Sequence, residues 1–447
     1  MGEECVKHAT TRREFLETTA AVAASSWASA SLYAADALAS PGVNDTINLG
    51  VIGCGARCKE ILPQFMKLPD IRVAAVCDVH SGHMDQVRQT VGGDKVHAHH
   101  DYRKLLDDKA VDAVIVATNA HWHVLCSIHA CQAGKDVYLE KPASNFIGEG
   151  RFAIDAARKY DRIVQIGTQQ HSREHYQKAV EIIKSGRLGN ISEVKVWDCD
   201  NWAPGRGSPA DCDPPKELDW DFYVGPSPMM PYNPNCYNDY GYDWFKTSGG
   251  GHQVAWGVHH FDVVHWAMGV QWPDVISAVG GKFAMPDDNR QWPDTFSAVA
   301  QYAPGPVAKN GFLLQYTMRI GCRREHRSHS KCFFGTDAAL WIDRGRYTII
   351  GETSRAGKKA VADVEVLAGD DEYRHIQVFI DNVRNRKKPI ADIEVGHHAT
   401  NVGHLMNVAY EVGRTIRWDG RREQVIDDVE ANARVHRKYR EPWKLEV

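Results

Sequence analysis

The sequence predicts an α/β protein in two parts. A doubly wound parallel sheet comes first, followed by a second α/β domain with an open, mostly antiparallel sheet. Three observations predict this. From Ile47 to Ile166, short apolar runs alternate with stretches of helical period, the pattern of parallel strands covered on both faces. Beyond Gly186-Arg-Leu-Gly189 the strand-like runs become longer and amphipathic, as in a sheet with one solvated face. The length of 447 residues is ample for two such cores.

The elements follow in order. Ile47–Ile52 is a strand that runs into Gly53-Cys-Gly55-Ala56-Arg57-Cys58 and a helix reaching Leu68. Arg72–Val76 is a strand closed by Asp78, and helices cover Gly82–Val91 and Tyr102–Leu106. Ala113–Ala117 is an apolar strand, Trp122–Ala133 a helix, Val137–Leu139 a buried strand, Ile147–Tyr160 a helix and Ile163–Ile166 a strand. Glu140-Lys141-Pro142 stops the Val137 strand. Proline has no N–H to continue a ladder and keeps the preceding residue out of helical geometry. An ammonium is therefore held at the C-terminal lip of the sheet, where open α/β sheets bind ligands.

In the second part, strands are expected at Ile191–Trp197, Val275–Phe283, Thr295–Tyr302, Gly311–Met318, Ala339–Ile342 and Tyr347–Ile350. Helices are expected at Trp256–Met268, Tyr373–Arg384 and Val395–Thr415. The Pro/Gly/Asn/Trp-rich stretch Asp198–Lys246 is too long for a bare connection. The basic run Arg319–Arg327, with His326 and His329, either reaches an active site or forms a solvated hairpin, and the hairpin is the favoured reading.

A net charge of −4, with 43% apolar and 25% charged residues, gives no reason to expect nucleic acid or an acidic membrane as partner. No apolar run reaches the ~18 residues of a membrane span. Thr11-Arg12-Arg13-Glu14-Phe15-Leu16, ahead of an Ala/Ser-rich stretch, resembles a twin-arginine (Tat) export signal. The expected divisions are a signal over 1–35, a linker over 36–46, a nucleotide-binding domain over 47–170 and a second domain over 171–447. The expected location is periplasmic or otherwise exported, with the Tat machinery as a partner. The eleven cysteines show no convincing disulfide framework and read mostly as small buried hydrophobes.

The glycine-rich turn carries the first chemical signal. Gly53 and Gly55 let the backbone at Ala56 and Arg57 approach a pyrophosphate at the positive end of a helix. Asp78 stands where a carboxylate accepts from a ribose 2′-OH and repels a 2′-phosphate, so NAD is favoured over NADP. Thr118, Asn119, His121 and His123 follow the Ala113 strand on the same lip and are expected to line the cofactor, as is Glu140. His121, His123 and Cys126 have spacings a metal can use, as does the group His97-Ala-His99-His100. Capping, packing and surface roles are commoner for such residues, and no metal is expected. After Gly249-Gly-Gly251-His252 comes a helix that places His259 and Asp262 on one face.

These residues, in this order and spacing, resemble the Gfo/Idh/MocA oxidoreductases. So do Gly167-Thr-Gln169-Gln170, Leu218-Asp-Trp-Asp221 with Gly225-Pro226, and Arg386-Lys-Lys-Pro389-Ile-Ala-Asp392. The resemblance covers nearly all of the mature chain and is nearest to the Tat-exported branch. It implies hydride transfer between a nicotinamide and a ring hydroxyl of a sugar, glycoside or cyclitol. Lys141 would be the active-site lysine and His259 the base. Gln169, Trp202, Tyr237, His252 and His260 would join them at the substrate. The family usually carries an acid four residues before the base, where this chain has Ala255; His252, Gln253 or His260 are the expected compensations. A homodimer or homotetramer through the C-terminal sheet is also implied. Export implies that NAD stays tightly bound and is restored in place. Two alternatives accompany this reading: a redox-neutral glycosidase working through a transient 3-keto sugar, and a non-catalytic NAD- or sugar-binding paralogue.

Overall fold

A computed structural model describes residues 46–447, apart from 239, 326, 370 and 371. The expected export signal and nearly all of the linker lie outside the described residues.

The first sheet contains β1 (Ile47–Ile52), β2 (Ile71–Cys77), β3 (His97–His99), β4 (Ala113–Val116), β5 (Asp136–Leu139) and β6 (Val164–Ile166), in the order β3-β2-β1-β4-β5-β6. Every pairing is parallel. β4 and β5 are buried at every position, as strands covered on both faces must be. The connections are α1 (Ala56–Phe65), α2 (Ser81–Val91), α3 (Tyr102–Asp107), α4 (Ala120–Gln132) and α5 (Ile147–Lys159). The strand order reverses between β1 and β4, which opens a crevice beyond their C-terminal ends. His97 and His99, expected between elements, form the edge strand β3 instead.

The second sheet has ten strands in the order β14-β13-β12-β11-β7-β10-β9-β8-β15-β16. They are β7 (Ile191–Cys199), β8 (Val275–Gly281), β9 (Thr295–Tyr302), β10 (Phe312–Arg319), β11 (His329–Gly335), β12 (Ala338–Ile342), β13 (Arg346–Gly351), β14 (Val364–Leu367), β15 (Ile416–Asp419) and β16 (Gln424–Val425). It is mostly antiparallel, but β7 and β10 pair in parallel. The solvated-hairpin reading around His329 is corrected: β11 lies inside the sheet, paired with both β7 and β12. Its polar residues His329 and Lys331 had disguised it. Strict alternation of buried and open positions along β9 shows that one face is covered. α6 (Glu174–Lys184), α7 (Val258–Met268), α8 (Glu372–Asn385) and α9 (Ile393–Val412) are the long helices of this half.

The nucleotide-binding layer does not close its own core. Ile376, Phe379 and Ile380 of α8 pack into the cluster of Leu49, Ile61 and Phe65. Ala391, Ile393 and Trp443 join the cluster of Val114, Leu125 and Leu139. Glu149 of α5, 3% exposed, accepts from Arg437 at 2.9 Å and from the Tyr439 hydroxyl at 2.7 Å, fastening the C-terminal segment to the first layer.

The stretch between β7 and α7 is also tied to that layer. Ser81 N–H donates to the Glu217 carbonyl at 2.9 Å, and Asp219 N–H to the Val79 carbonyl at 3.0 Å. The Trp122 indole donates to the Tyr223 carbonyl at 3.1 Å. Gly225 has φ +51, and a Cβ there would lie 2.0 Å from the Trp122 ring, so only glycine fits. All ten described cysteines are free thiols; eight are buried, while Cys212 and Cys322 are exposed. Among the described residues no helix is long and apolar enough to cross a membrane.

Candidate active site

A cleft of about 460 Å³ opens where the strand order reverses. Gly53, Gly55, Ala56, Arg57, Asp78, Thr118 and Asn119 all line it, as the sequence reading expects. Gly53 has φ +91, and a Cβ would come within 2.8 Å of the Ala117 carbonyl. A Cβ on Gly55 would meet nothing within 4 Å, which leaves the backbone open to a ligand. Both observations fit a dinucleotide whose pyrophosphate sits at the start of α1.

Asp78 Oδ2 accepts the Cys54 N–H at 2.6 Å and Oδ1 accepts the His80 N–H at 2.8 Å, tying the glycine turn to the end of β2. Burial raises its pKa, and those two N–H donors, His83 and His80 act against the rise. Arg57 donates to Glu140 and to Glu60, each at 2.9 Å, so it braces the glycine turn against the lip of β5.

Two expected cofactor residues stand behind the wall instead. His123 spans the Pro142 carbonyl (2.6 Å) and the Thr118 carbonyl (3.0 Å), clamping the ends of β5 and β4 together. His121 Nε2 meets the Tyr223 carbonyl at 2.9 Å; burial pushes its pKa down to about 3 and keeps the ring neutral. Both side chains turn away because α4 begins at Ala120, and each step along a helix rotates the next residue by about 100°.

Tyr237 is also relocated. It lines the nucleotide cleft, with its ring parallel to His80 at 6.2 Å. Its buried hydroxyl has no hydrogen-bond partner among the described residues. Tyr223, Asn238, Tyr240 and Tyr242 line the same cleft. This part of the aromatic stretch thus lines the cleft beside the glycine turn, whereas the sequence reading places Tyr237 at the substrate.

Lys141 stands at the end of β5, and its Nζ donates to the Ala255 carbonyl at 3.0 Å. Burial holds the amine below the ordinary lysine range, while Asp243 and Glu140 act against that shift. His259, 4% exposed, lies one turn beyond Ala255. Its Nδ1 meets Gln170 Oε1 at 3.2 Å. An amide oxygen only accepts, so Nδ1 carries the proton and Nε2 presents its lone pair. Burial, Arg344, Lys141 and His260 hold this imidazole well below the usual histidine range, leaving it a neutral acceptor. Asp262 turns aside to His171 Nε2 at 2.9 Å. The Gln169–Ser172 turn is thereby docked on α7 at two points, with Gln169 buried beside them.

The remaining expected substrate residues form a layer behind this pair. His252 Nε2 approaches Asp198 Oδ2 to 2.7 Å, and its ring stacks between Trp244 at 5.9 Å and Trp256 at 6.0 Å. Trp202 meets His252 edge-on at 5.3 Å and donates its indole N–H to Asp200, so it packs within this aromatic group. His260 is 2% exposed, and neither ring nitrogen has a hydrogen-bond partner among the described residues. It faces His329 at 6.4 Å.

Register explains the layer. Asp198 pairs with His329, and Val196 with Lys331, so the three polar residues share one face of the sheet. The Lys331 amine donates to the Tyr176 hydroxyl at 3.2 Å, and burial with Arg344 nearby pushes its pKa down to about 7. Sequence reasoning missed Asp198, Asp243, Lys331 and Arg344. The spacing His329-x-Lys331 was the available signal for a strand there.

Two groups among the described residues bring three donors close enough to share a cation: His97, His99 and Asp108; and His397, His398 and Glu423. In both, imidazole and carboxylate already meet, His97 with Asp108 at 2.6 Å and His397 with Glu423 at 2.8 Å.

Comparison with known proteins agrees with the geometry. Residues 47–168 match the Gfo/Idh/MocA model for an oxidoreductase family with an NAD-binding Rossmann fold, and 359–445 match that family's C-terminal α/β domain. The chain is 22% identical over 377 residues to myo-inositol 2-dehydrogenase of Thermotoga maritima, covering 83% of this chain and 98% of that one. It is 25% identical over 155 residues to the uncharacterized oxidoreductase YrbE of Bacillus subtilis, covering 35% of this chain and 45% of YrbE. It is 27% identical over 162 residues to a glycosyl hydrolase family 109 protein of Saccharopolyspora erythraea, covering 33% and 34%. These last two matches span less than half of either relative. In fold, the chain resembles the WlbA dehydrogenase of Bordetella pertussis, solved with NADH and UDP-GlcNAcA. The TM-score is 0.62 at 16% identity, covering 84% of this chain and 99% of that one.

Proposed function

The chain carries both domains of the Gfo/Idh/MocA oxidoreductase family, and from that premise we propose that it moves a hydride between a bound nicotinamide and a ring hydroxyl of a sugar, glycoside or cyclitol. The observation that carries the proposal is the meeting of Lys141 and His259. The amine donates to the Ala255 carbonyl, one turn before the imidazole, and its charge acts on that ring.

Oxidising a carbinol requires removal of the hydroxyl proton while alkoxide charge develops. The lone pair on His259 Nε2 takes that proton, and the Lys141 ammonium stabilises the charge. Gln170 fixes the tautomer that makes this possible. Gly53 and Gly55 would hold the pyrophosphate, and Asp78 the adenosine ribose, which favours NAD over NADP. The nicotinamide supplies the hydride acceptor or donor.

Retention of the cofactor belongs to the same reading. The aromatic stretch covering the cleft is fastened to the first layer at Glu217, Asp219 and Tyr223. This suits an exported enzyme with no free NAD pool. It also favours a second reading, a redox-neutral glycosidase in which the hydride returns to the same sugar. Self-association through the outer face of the ten-stranded sheet, where Val279, Val299 and Leu313 lie exposed, completes the proposal.

Mass spectrometry of the purified protein tests it, followed by a panel of glycosides and keto-sugars. Retained NAD and a keto or hydrolysed product are expected. Lys141→Met should cut turnover at least about 100-fold while the dinucleotide stays bound. Unchanged turnover in that variant defeats both catalytic readings.

A further inference from the structure

Ala255 leaves the position one turn before His259 without a carboxylate, and an acid reaches Lys141 from another direction. Asp243 lies in the Gly241–Trp244 turn and is 9% exposed. Its carbonyl accepts the Gly251 N–H at 2.7 Å, and the Gly251 carbonyl accepts the Ala255 N–H at 2.9 Å. The Ala255 carbonyl then holds the Lys141 ammonium at 3.0 Å. Three hydrogen bonds thus link the two residues through the Gly251–Ala255 turn.

The Gly249-Gly-Gly251 run permits this approach. A Cβ on Gly249 would lie 2.4 Å from the Asp243 Cα. Among the charges acting on Lys141, Asp243 is foremost, ahead of the adjacent Glu140. Glu140 is already engaged by Arg57. In return, Lys141 is the foremost charge acting on Asp243, followed by His252.

We propose that Asp243 is the positioning residue for Lys141, supplying from the covering loop the countercharge that Ala255 cannot. This rests on the reading that Lys141 faces the reacting hydroxyl. Burial favours the neutral amine, and the ammonium stabilises a developing alkoxide better than the neutral amine does. The carboxylate offsets the burial and keeps the ammonium protonated. His252, in contact with Asp198 and the Trp244 and Trp256 rings, is the second charge acting on the carboxylate. The groups facing Asp243 are Lys141 from the end of β5, His252 from the turn before α7, and Tyr223 and Tyr242 from the covering loop. Burial pushes Asp243 up to about 6, with Lys141 and His252 acting against the rise, so the carboxylate is ionised above that pH.

The experiment is the pH profile of kcat/KM for the full, dinucleotide-loaded protein, with substrate taken from the panel above. A carboxylate beside an ammonium raises the amine's pKa, so its removal lets the amine deprotonate at lower pH. Asp243→Asn should move the alkaline limb down by about one pH unit or more. Asp243→Glu should restore it, which a purely structural defect would not. Asp243→Ser gives the same readout if asparagine is not accommodated, and retained dinucleotide with an unchanged Tm certifies the fold. An alkaline limb unmoved in both neutral variants, with Lys141→Met inactive, overturns the inference and leaves the proposed function intact. Full activity in Lys141→Met overturns the proposed function beneath it.

Discussion

His259 is kept neutral by its surroundings, and that decides its pH behaviour. Burial, the three cations Arg344, Lys141 and Arg57, and the His260 imidazole all disfavour the imidazolium. If His259 is the base, as proposed, its depressed pKa means that the acceptor is lost only when pH falls well below 6.5. The acid limb of kcat/KM should therefore lie below that of an ordinary histidine. His259→Asn, which still fills the space, should lower kcat by about 10²- to 10⁴-fold and abolish that limb. Steady-state kinetics across pH reads both effects. The places of Lys141 at a strand end and His259 on a helix were legible in the sequence because a strand-ending Lys-Pro and a His-x-x-Asp helix are local patterns, while their roles rest on the resemblance and the proposal. Asp243 was not legible. A single acid in an aromatic stretch carries no periodicity, and only the folded turn brings it to the amine.

At the scale of elements, the loop between β7 and α7 is the least regular part and the one that shapes the cofactor cleft. Gly225 anchors it against Trp122. Gly225→Ala combines a left-handed backbone with a collision, a strain of roughly 1–3 kcal/mol. The expected result is faster release of the dinucleotide, measured by fluorescence after dilution, with the first sheet still folded. An unchanged release rate would show that the loop does not govern retention. The parallel strands were legible because β4 is apolar throughout and β5 carries the run Val137–Leu139, which are buried at every position. β11 escaped notice because its covered face carries His329 and Lys331 where an apolar pair is the rule. His121 and His123 were assigned to the right lip but the wrong side of it. A sequence gives position along a helix start more readily than the direction of each side chain.

The whole molecule holds an unusual number of imidazoles in its interior. Burial pushes His121 and His265 down to about 3, and His375, His398 and His404 down to about 4. In the unfolded chain these rings titrate near 6.5. Below that value the unfolded state binds protons the folded state refuses, so stability is fully present above pH 6.5 and is lost as pH falls toward 4. Each ring contributes about 1.4 kcal/mol per pH unit across that window. Tm measured between pH 8 and pH 4 should fall steeply below 6.5, and a flat profile would contradict the neutral, buried assignment.

Trp443 and the α8 residues that complete the first core have a consequence for biogenesis. A ribosome must deliver the residues up to Trp443 before the first sheet finds these apolar partners. Tight loading of a dinucleotide would then report that synthesis has passed α8, because a product terminated before it lacks part of the core behind its own first sheet.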